Sequence, residues 1–157
     1  MIELVMVVGL LVILAAIAIP NFIDFRRDSK NSITRAALGE LRSSIVIAAA
    51  SIQAKEDPSQ PSPKFPTYDE VKANQFLEVH PVLKGNKLFT LPTGIPKNPW
   101  TQSNLPLSDF NKILKCSGPL GTLHPTEKSQ GWCYLEATGE IWANSALNSD
   151  TLTENHF

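Results

Sequence analysis

The sequence has almost no net charge, because its 14 basic residues are balanced by 15 acidic ones among 157 residues. A protein whose main partner is nucleic acid usually carries a basic surface, so this balance argues against that class. Collagen-like and heptad-repeat compositions are also absent. Apolar residues make up 43% of the chain, which excludes a chain that is disordered throughout.

The motifs of common enzyme classes are missing as well. The chain has no GxGxxG, no P-loop and no GxSxG motif. It has no CxxCH motif for covalent haem attachment. Its three histidines, His80, His124 and His156, show no metal-ligand spacing. The sequence therefore predicts a protein that is not an enzyme, and it assigns no cofactor and no metal site.

Charge is missing from one end of the chain. Residues 4–23 contain no Asp, Glu, Lys or Arg, and 19 of the first 23 residues are hydrophobic. The uninterrupted non-polar run at residues 4–19 would form a helix about 24 Å long. With the apolar residues on either side, it approaches the bilayer core of about 30 Å. We therefore expect residues 1–23 to be a transmembrane segment.

Two other interpretations of this segment remain open. A secretory signal peptide is one, since Ala16-Ile17-Ala18 fits the small-x-small cleavage pattern, but Glu3 stands where a basic flank is usual. A buried core helix is the other, although the rest of the chain is small for covering a helix that is apolar all round. Glu3 itself either has a partner in the apolar phase or lies among head groups at the helix N-terminus.

Residues 21–55 continue a helical pattern. The sequence predicts one helix from the N-terminus to about residue 55, with Pro20 inside it and a kink at that position. Arg35, Glu40 and Arg42 lie off the apolar stripe and are expected to be solvated. The stripe predicted to face the body consists of Ile33, Ala37, Leu41, Ile45, Ala48 and Ile52.

Shorter elements follow in residues 56–157. Residues 67–74 look like a short helix, with Thr67 as N-cap and Glu70 three residues later. Residues 88–91 are a strand candidate. Residues 131–144 predict a β-hairpin whose turn, residues 136–139, ends in a glycine. The aromatic side chains of this hairpin are expected in the core: Trp132, Tyr134 and Trp142.

The two cysteines, Cys116 and Cys133, lie in a body attached to a membrane segment. This combination favours one disulfide and an oxidising compartment. Two buried reduced thiols, or a metal site with two ligands from these residues, are the alternatives.

The N-terminal residues resemble a known family. Residues 2–4 read Ile-Glu-Leu, and residues 13–22 read Ile-Leu-Ala-Ala-Ile-Ala-Ile-Pro-Asn-Phe. This pattern resembles the N-terminal helix of type IV pilins and type II secretion pseudopilins, which begin Phe-Thr-Leu-Ile-Glu-Leu after processing. The match is dense over the first 25 residues. The remaining chain matches mainly in layout, so the expected fold is α+β, with a long N-terminal helix packed on a small antiparallel sheet.

The resemblance implies a structural subunit of a type IV pilus or a pilus-like filament. Glu3 would be the assembly glutamate, which pairs with the N-terminal amine of a neighbouring copy and sets register, and Pro20 the helix-kinking proline. Gly9 would allow close packing or local unwinding. The partners would be copies of the chain, the inner membrane before assembly, and the assembly machinery. Residues 1–23 would form the filament core, and residues 24–157 the globular domain.

Two alternative functions stay open: a type II secretion pseudopilin, and a membrane-anchored periplasmic binding protein that does not polymerise. The body is expected in the periplasm before assembly and in a surface or periplasmic filament afterwards. Arg26, Arg27 and Lys30 taken alone would place it in the cytoplasm, but the disulfide and the family both place it outside.

Two details depart from the family or extend it. Only two residues precede Glu3 in the given sequence, where the processed family has four, so the resemblance does not extend to the family's N-methylated phenylalanine. Major pseudopilins carry calcium near the C-terminus, and Glu136, Glu140 and Asp150 offer oxygen ligands of that kind. A solvated turn is the simpler interpretation of these acids.

Overall fold

The computed structural model describes residues 2–55, 63–89, 94–101, 105–127 and 129–145. The chain divides into two compact units, Met1–Ser32 and Ile33–Phe157. Helix α1, Ile2–Lys55, supplies the described part of the first unit and the beginning of the second. Pro20 lies inside these bounds, as the sequence predicts, and the kink expected there stays a prediction.

The first unit is apolar and exposed on every side from Ile2 to Ile19, and it carries charged residues from Asp24 onward. Its most apolar stretch is long enough to cross a membrane, and none of that stretch is buried within the chain. A helix that is hydrophobic all round belongs in lipid or inside a larger assembly. The described first unit therefore has the length and composition of a membrane-spanning segment.

In the second unit, α1 is buried on one side only. The predicted stripe is confirmed at five of its six positions, from Ala37 to Ile52. Ile33 was predicted wrongly, because it is 53% exposed while the fully buried Thr34 takes the inward position. Arg42 is also a correction, since it is half-buried. Its guanidinium donates from Nε and Nη2 to the Ile141 carbonyl at 3.3 and 3.2 Å.

Helix α2, Tyr68–Ala73, forms where the capping signal predicts it. Thr67 accepts a hydrogen bond from the Glu70 backbone amide, and the Glu70 carboxylate accepts one from the Thr67 amide. This reciprocal pair satisfies two N–H groups that a helix start leaves without partners. Asn74 ends the helix in the left-handed conformation, with a φ of 53°.

A three-stranded sheet completes the fold. Its strands are β1 (Ile113–Lys115), β2 (Trp132–Leu135) and β3 (Glu140–Ala143), in the order β1-β2-β3. The predicted hairpin is confirmed, with β2 and β3 antiparallel and Tyr134 opposite Ile141. The expected α+β layout is confirmed too, but the sheet is mixed and not purely antiparallel, because β1 runs parallel to β2. The chain between β1 and β2 crosses over and does not turn back as a hairpin.

The prediction of a strand at residues 88–91 is wrong for the two of these residues that the structure describes. Leu88 and Phe89 lie outside any strand, and residues 90 and 91 lie outside the described residues. The amide side chain of Asn74 explains the difference. It donates to the Phe89 carbonyl at 3.3 Å and accepts from the Phe89 amide at 2.6 Å, so it takes both positions that a neighbouring strand would use.

The sheet separates two hydrophobic clusters, because successive side chains of a strand point to opposite faces. On the face shared with α1, Trp132, Tyr134 and Ile141 join the inner side of the helix and the buried residues of segment 63–89. On the other face, Trp142 packs with the two cysteines. The expectation that all three aromatic residues of the hairpin are core is therefore confirmed, with two on one face and one on the other.

Replacing Gly139 with alanine should destabilise the body. Gly139 has a φ of +71°, and a Cβ there would overlap the ring of Phe65. We expect the free energy of unfolding to fall by about 2–4 kcal/mol, from backbone strain and overpacking together. Denaturation of the full chain in detergent, followed by tryptophan fluorescence, measures this change, because all three tryptophans lie in residues 33–157.

Gly94→Ala is the matched control for this variant. Gly94 has a φ of +73°, and a Cβ there meets no described atom within 4 Å. It should therefore cost only the strain of the left-handed backbone, about 1 kcal/mol. Equal losses in the two variants would contradict the packing of Phe65 against the hairpin turn.

Candidate functional site

The apolar part of α1 is the largest exposed hydrophobic surface among the described residues. Its large side chains are 50–84% exposed from Ile2 to Phe25. Burying one such side chain contributes about 1.5–3 kcal/mol, so covering this helix is worth many times the stability of an ordinary contact. Lipid, or other apolar helices, would supply that cover.

The three residues predicted to act in assembly all lie on α1. Glu3 is in the first turn, where a carboxylate is favoured by the helix dipole, and it is exposed. Gly9 lies in the apolar run, and a Cβ there would meet no described atom within 4 Å. Pro20 lies within the helix, and its side chain is outside the described part. Their roles in assembly stay predictions.

The predicted disulfide is confirmed. Cys116 and Cys133 are bonded, with their Cα atoms 5.5 Å apart, and both are buried. Cys133 lies opposite Leu114 in the parallel pair of β1 and β2, and the bond joins β2 to the chain that leaves β1. The disulfide therefore ties the start of the crossover connection, residues 116–131, to β2, beside the hydrogen bond from the Cys116 amide to the Tyr134 carbonyl.

Buried asparagines hold the same connection from inside. Asn144 follows β3, and its amide donates to the Glu127 and Gln130 carbonyls while its oxygen accepts from the His124 amide. Asn98 donates to the Gly131 carbonyl at 2.6 Å. These side chains satisfy loop carbonyls that would otherwise be buried without partners.

The acids considered for calcium are engaged in protein contacts. The Glu136 carboxylate accepts from the Tyr68 amide at 3.4 Å and lies 3.1 Å from Lys115 Nζ. Glu140 accepts from the Thr138 hydroxyl at 3.0 Å. Asp150 lies outside the described residues. Within residues 2–145, as far as they are described, no three His, Cys, Asp or Glu side chains group as metal ligands do.

Two cavities lie beside the Phe65 ring. One, of about 490 Å³, is bordered by Lys64, Lys115 and the disulfide, and the other, of about 470 Å³, by Arg42 and Glu140. Their walls are mainly apolar, with Ser117 and Glu136 among the polar residues of the first and Thr138 and Glu140 among those of the second.

A buried acid–histidine pair is a further feature of the body that the sequence did not indicate. Glu70 and His80 both have zero exposure, and His80 Nδ1 lies 2.9 Å from each oxygen of the Glu70 carboxylate. The capping motif accounts for Glu70 at Thr67, but it gives no sign that a histidine ten residues later approaches the same carboxylate. Only the path of the chain after α2 brings the two together.

The protonation of Glu70 follows from two opposing effects. Burial raises the pKa of its carboxyl. Hydrogen bonds from the Leu77 amide, the His80 ring and the Thr67 amide outweigh burial, and the charge of His80 acts in the same direction. The pKa of Glu70 is therefore lower than its ordinary value of 4.5, and the group is a carboxylate at neutral pH.

No family model, no curated protein and no solved structure matches this chain. Any functional assignment therefore rests on the residues and their geometry.

Removing the disulfide should weaken the body without changing the apolar helix. We expect the paired variant Cys116→Ser, Cys133→Ser to lose about 3 kcal/mol of unfolding free energy, since the bond closes a loop with a sequence separation of 17. The same fluorescence-detected denaturation measures the loss, with the oxidised full chain as reference. An unchanged midpoint would contradict a stabilising role for the bond.

Proposed function

We propose that the chain is a structural subunit of a type IV pilus or pilus-like filament. Residues 1–23 would anchor it in the inner membrane, with the body in the periplasm, and would later bundle with those of other copies in the filament. The observation that carries this proposal is the helix from Ile2 to Phe25, apolar and exposed all round, ahead of a body with its own closed core. The pilin-like order of residues 2–22 supports the choice of family.

Glu3 gives the proposed assembly its selectivity. In a bundle of apolar helices, an ionised carboxylate is costly unless a positive group reaches it. A neighbouring copy offers such a group at its N-terminal amine. Pairing would stabilise one axial position of each subunit relative to the next. A neighbour shifted along the helix axis would leave the Glu3 carboxylate buried without a partner.

Gly9 supports the same proposal by elimination. A glycine inside a helix costs about 1 kcal/mol relative to alanine. Because a Cβ at Gly9 would meet no described atom of this chain, the chain's own packing does not require glycine there. A second helix passing close to α1 would require it, and so would local unwinding.

The body favours a structural role over binding. Its disulfide and its buried asparagines fix the crossover connection, which suits a domain that must hold one shape under load. The pseudopilin remains the alternative within the same class of assembly. A periplasmic binding protein that never polymerises is the alternative outside it, and the two cavities beside Phe65 are the features it would use.

Glu3→Ala should leave the monomer folded and impair filament formation. The variant leaves the neighbour's N-terminal amine without its partner in the bundle, and we expect at least tenfold fewer filaments, on the order of what an unpaired buried charge costs. Electron microscopy of sheared surface material at matched expression counts them. Tryptophan fluorescence of the membrane fraction checks that the body is folded.

Glu40→Ala is the matched control, since Glu40 is another exposed carboxylate on α1 but lies in the second unit. It should assemble normally. Filaments of Glu3→Ala at the control level would overturn the role of Glu3. A wild-type chain that stays in the membrane fraction, with no filaments in sheared material or the periplasm, would favour the anchored binding protein.

A further inference from the structure

The carboxylate of Glu70 is the centre of a buried hydrogen-bond cluster. Its Oε2 accepts from the Thr67 amide at 2.9 Å and the Thr67 hydroxyl at 3.1 Å, and its Oε1 accepts from the Leu77 amide at 2.9 Å. His80 Nδ1 lies 2.9 Å from both oxygens, and His80 Nε2 lies 3.3 Å from the Pro63 carbonyl. One acid and one histidine thus join three stretches of segment 63–89.

The partners of the ring determine its charge. Glu70 is a carboxylate, so its oxygens only accept, and the Pro63 carbonyl also only accepts. Each ring nitrogen of His80 therefore faces an acceptor and must carry a proton to bond with it. Only the imidazolium has a proton on both nitrogens, so bonding to both acceptors at once would make the closed arrangement an ion pair.

We propose that Glu70 and His80 form a proton-dependent clasp, which holds segment 63–89 closed and opens it locally when His80 loses its proton. Imidazole is the side chain that exchanges its proton nearest neutral pH. The neutral ring would face one of its two acceptors with a lone pair. It would also leave the Glu70 carboxylate buried without a positive partner, which is strongly destabilising.

The groups packed around the clasp do not take over its titration. The Phe76 ring meets the His80 ring edge-on, with centroids 5.9 Å apart, and carries no charge. From β2, Tyr134 donates to the Pro66 carbonyl at 2.6 Å, and burial raises the pKa of its phenol, so it stays protonated near neutral pH. From the hairpin turn, Glu136 is a carboxylate paired with Lys115.

Opening would be confined to one segment. The clasp joins Pro63 and Thr67, before α2, to Leu77 and His80 after it. The sheet and the disulfide lie outside these hydrogen bonds. Loss of the clasp therefore loosens the chain on either side of α2, at residues 63–67 and 77–80, while β2 and β3 keep their pairing.

Acidification should also open the clasp, because it protonates Glu70. The pKa of Glu70 is lower in the folded chain than its ordinary value, so the carboxylate stabilises the fold above pH 4.5. That contribution is lost as the pH falls through the lowered pKa.

Hydrogen–deuterium exchange of the full chain in detergent, from pH 5 to 9, tests the proposal. Rates are corrected for intrinsic exchange and expressed relative to the amides of β2. We expect the protection of the Thr67 and Leu77 amides to fall about a hundredfold as His80 is deprotonated, the scale set by breaking a buried ion pair. Nitrogen-15 NMR of the His80 ring, in the same samples, reports when its second proton leaves.

Two variants separate this effect from general alkaline loosening. His80→Gln keeps a donor for Glu70 but cannot titrate, so the pH dependence should disappear. His124→Gln is the matched control and should keep the wild-type profile, because His124 lies in the crossover connection and accepts from the Glu127 amide.

Two outcomes would overturn the clasp. One is a wild-type protection ratio that stays constant from pH 5 to 9. That result contradicts the clasp if His80 keeps its proton throughout, and equally if His80 loses its proton and the segment stays protected. The other is the same pH dependence in His80→Gln. If that variant does not fold, the wild-type profile and the ring NMR decide, because a neutral His80 in the fully protected segment contradicts the ion pair.

Discussion

The rest of the structure depends on one constraint, which is that the apolar surface of the long helix α1 must be covered. From Thr34 to Ile52, α1 has one apolar side, and the sheet with segment 63–89 covers it. From Ile2 to Phe25, the helix is apolar on all sides, and none of its large side chains is buried. One helix therefore carries two kinds of surface, and only the second kind requires something outside the chain.

The small body meets its own requirement by using both faces of the sheet. A three-stranded sheet with strands of three or four residues provides little pairing by itself. Here Trp132 and Tyr134 point to one cluster, and Cys133 points to the other. The disulfide and Asn144 then fix the crossover connection, which lies beside the second cluster. Cross-linking and buried side-chain hydrogen bonds replace the longer strands of larger sheets.

Local patterns in the sequence predict the local elements well. The long helix, the capped start of α2, the hairpin and the turn at Gly139 each follow from residues that are neighbours in sequence. The cysteine pair follows from their number and from the compartment that a membrane segment indicates. These features share one property, which is that their signal does not depend on where the chain goes next.

The features that the sequence did not predict depend on distant residues. Strand β1 has three residues and pairs in parallel with a strand beyond the crossover, so no alternation or turn marks it. Phe89 has the apolar neighbours of a strand, but Asn74 takes both of its backbone groups. The helical pattern places Arg42 on the solvated side of α1, yet its guanidinium donates hydrogen bonds to the Ile141 carbonyl of β3. The partnership of Glu70 with His80 likewise exists only because the chain turns back after α2.

Folding of the body and cover of the apolar helix are separable requirements in a chain built this way. The contacts that close the body involve residues from Thr34 onward, whereas the surface that needs cover belongs to Ile2 to Phe25. A change in the first set alters stability whether or not neighbours are present. A change in the second set alters only the free energy of the state in which the apolar helix is covered. Changes in the loops of the body therefore affect its own stability, whereas a charge introduced into the apolar helix affects the covering of that helix.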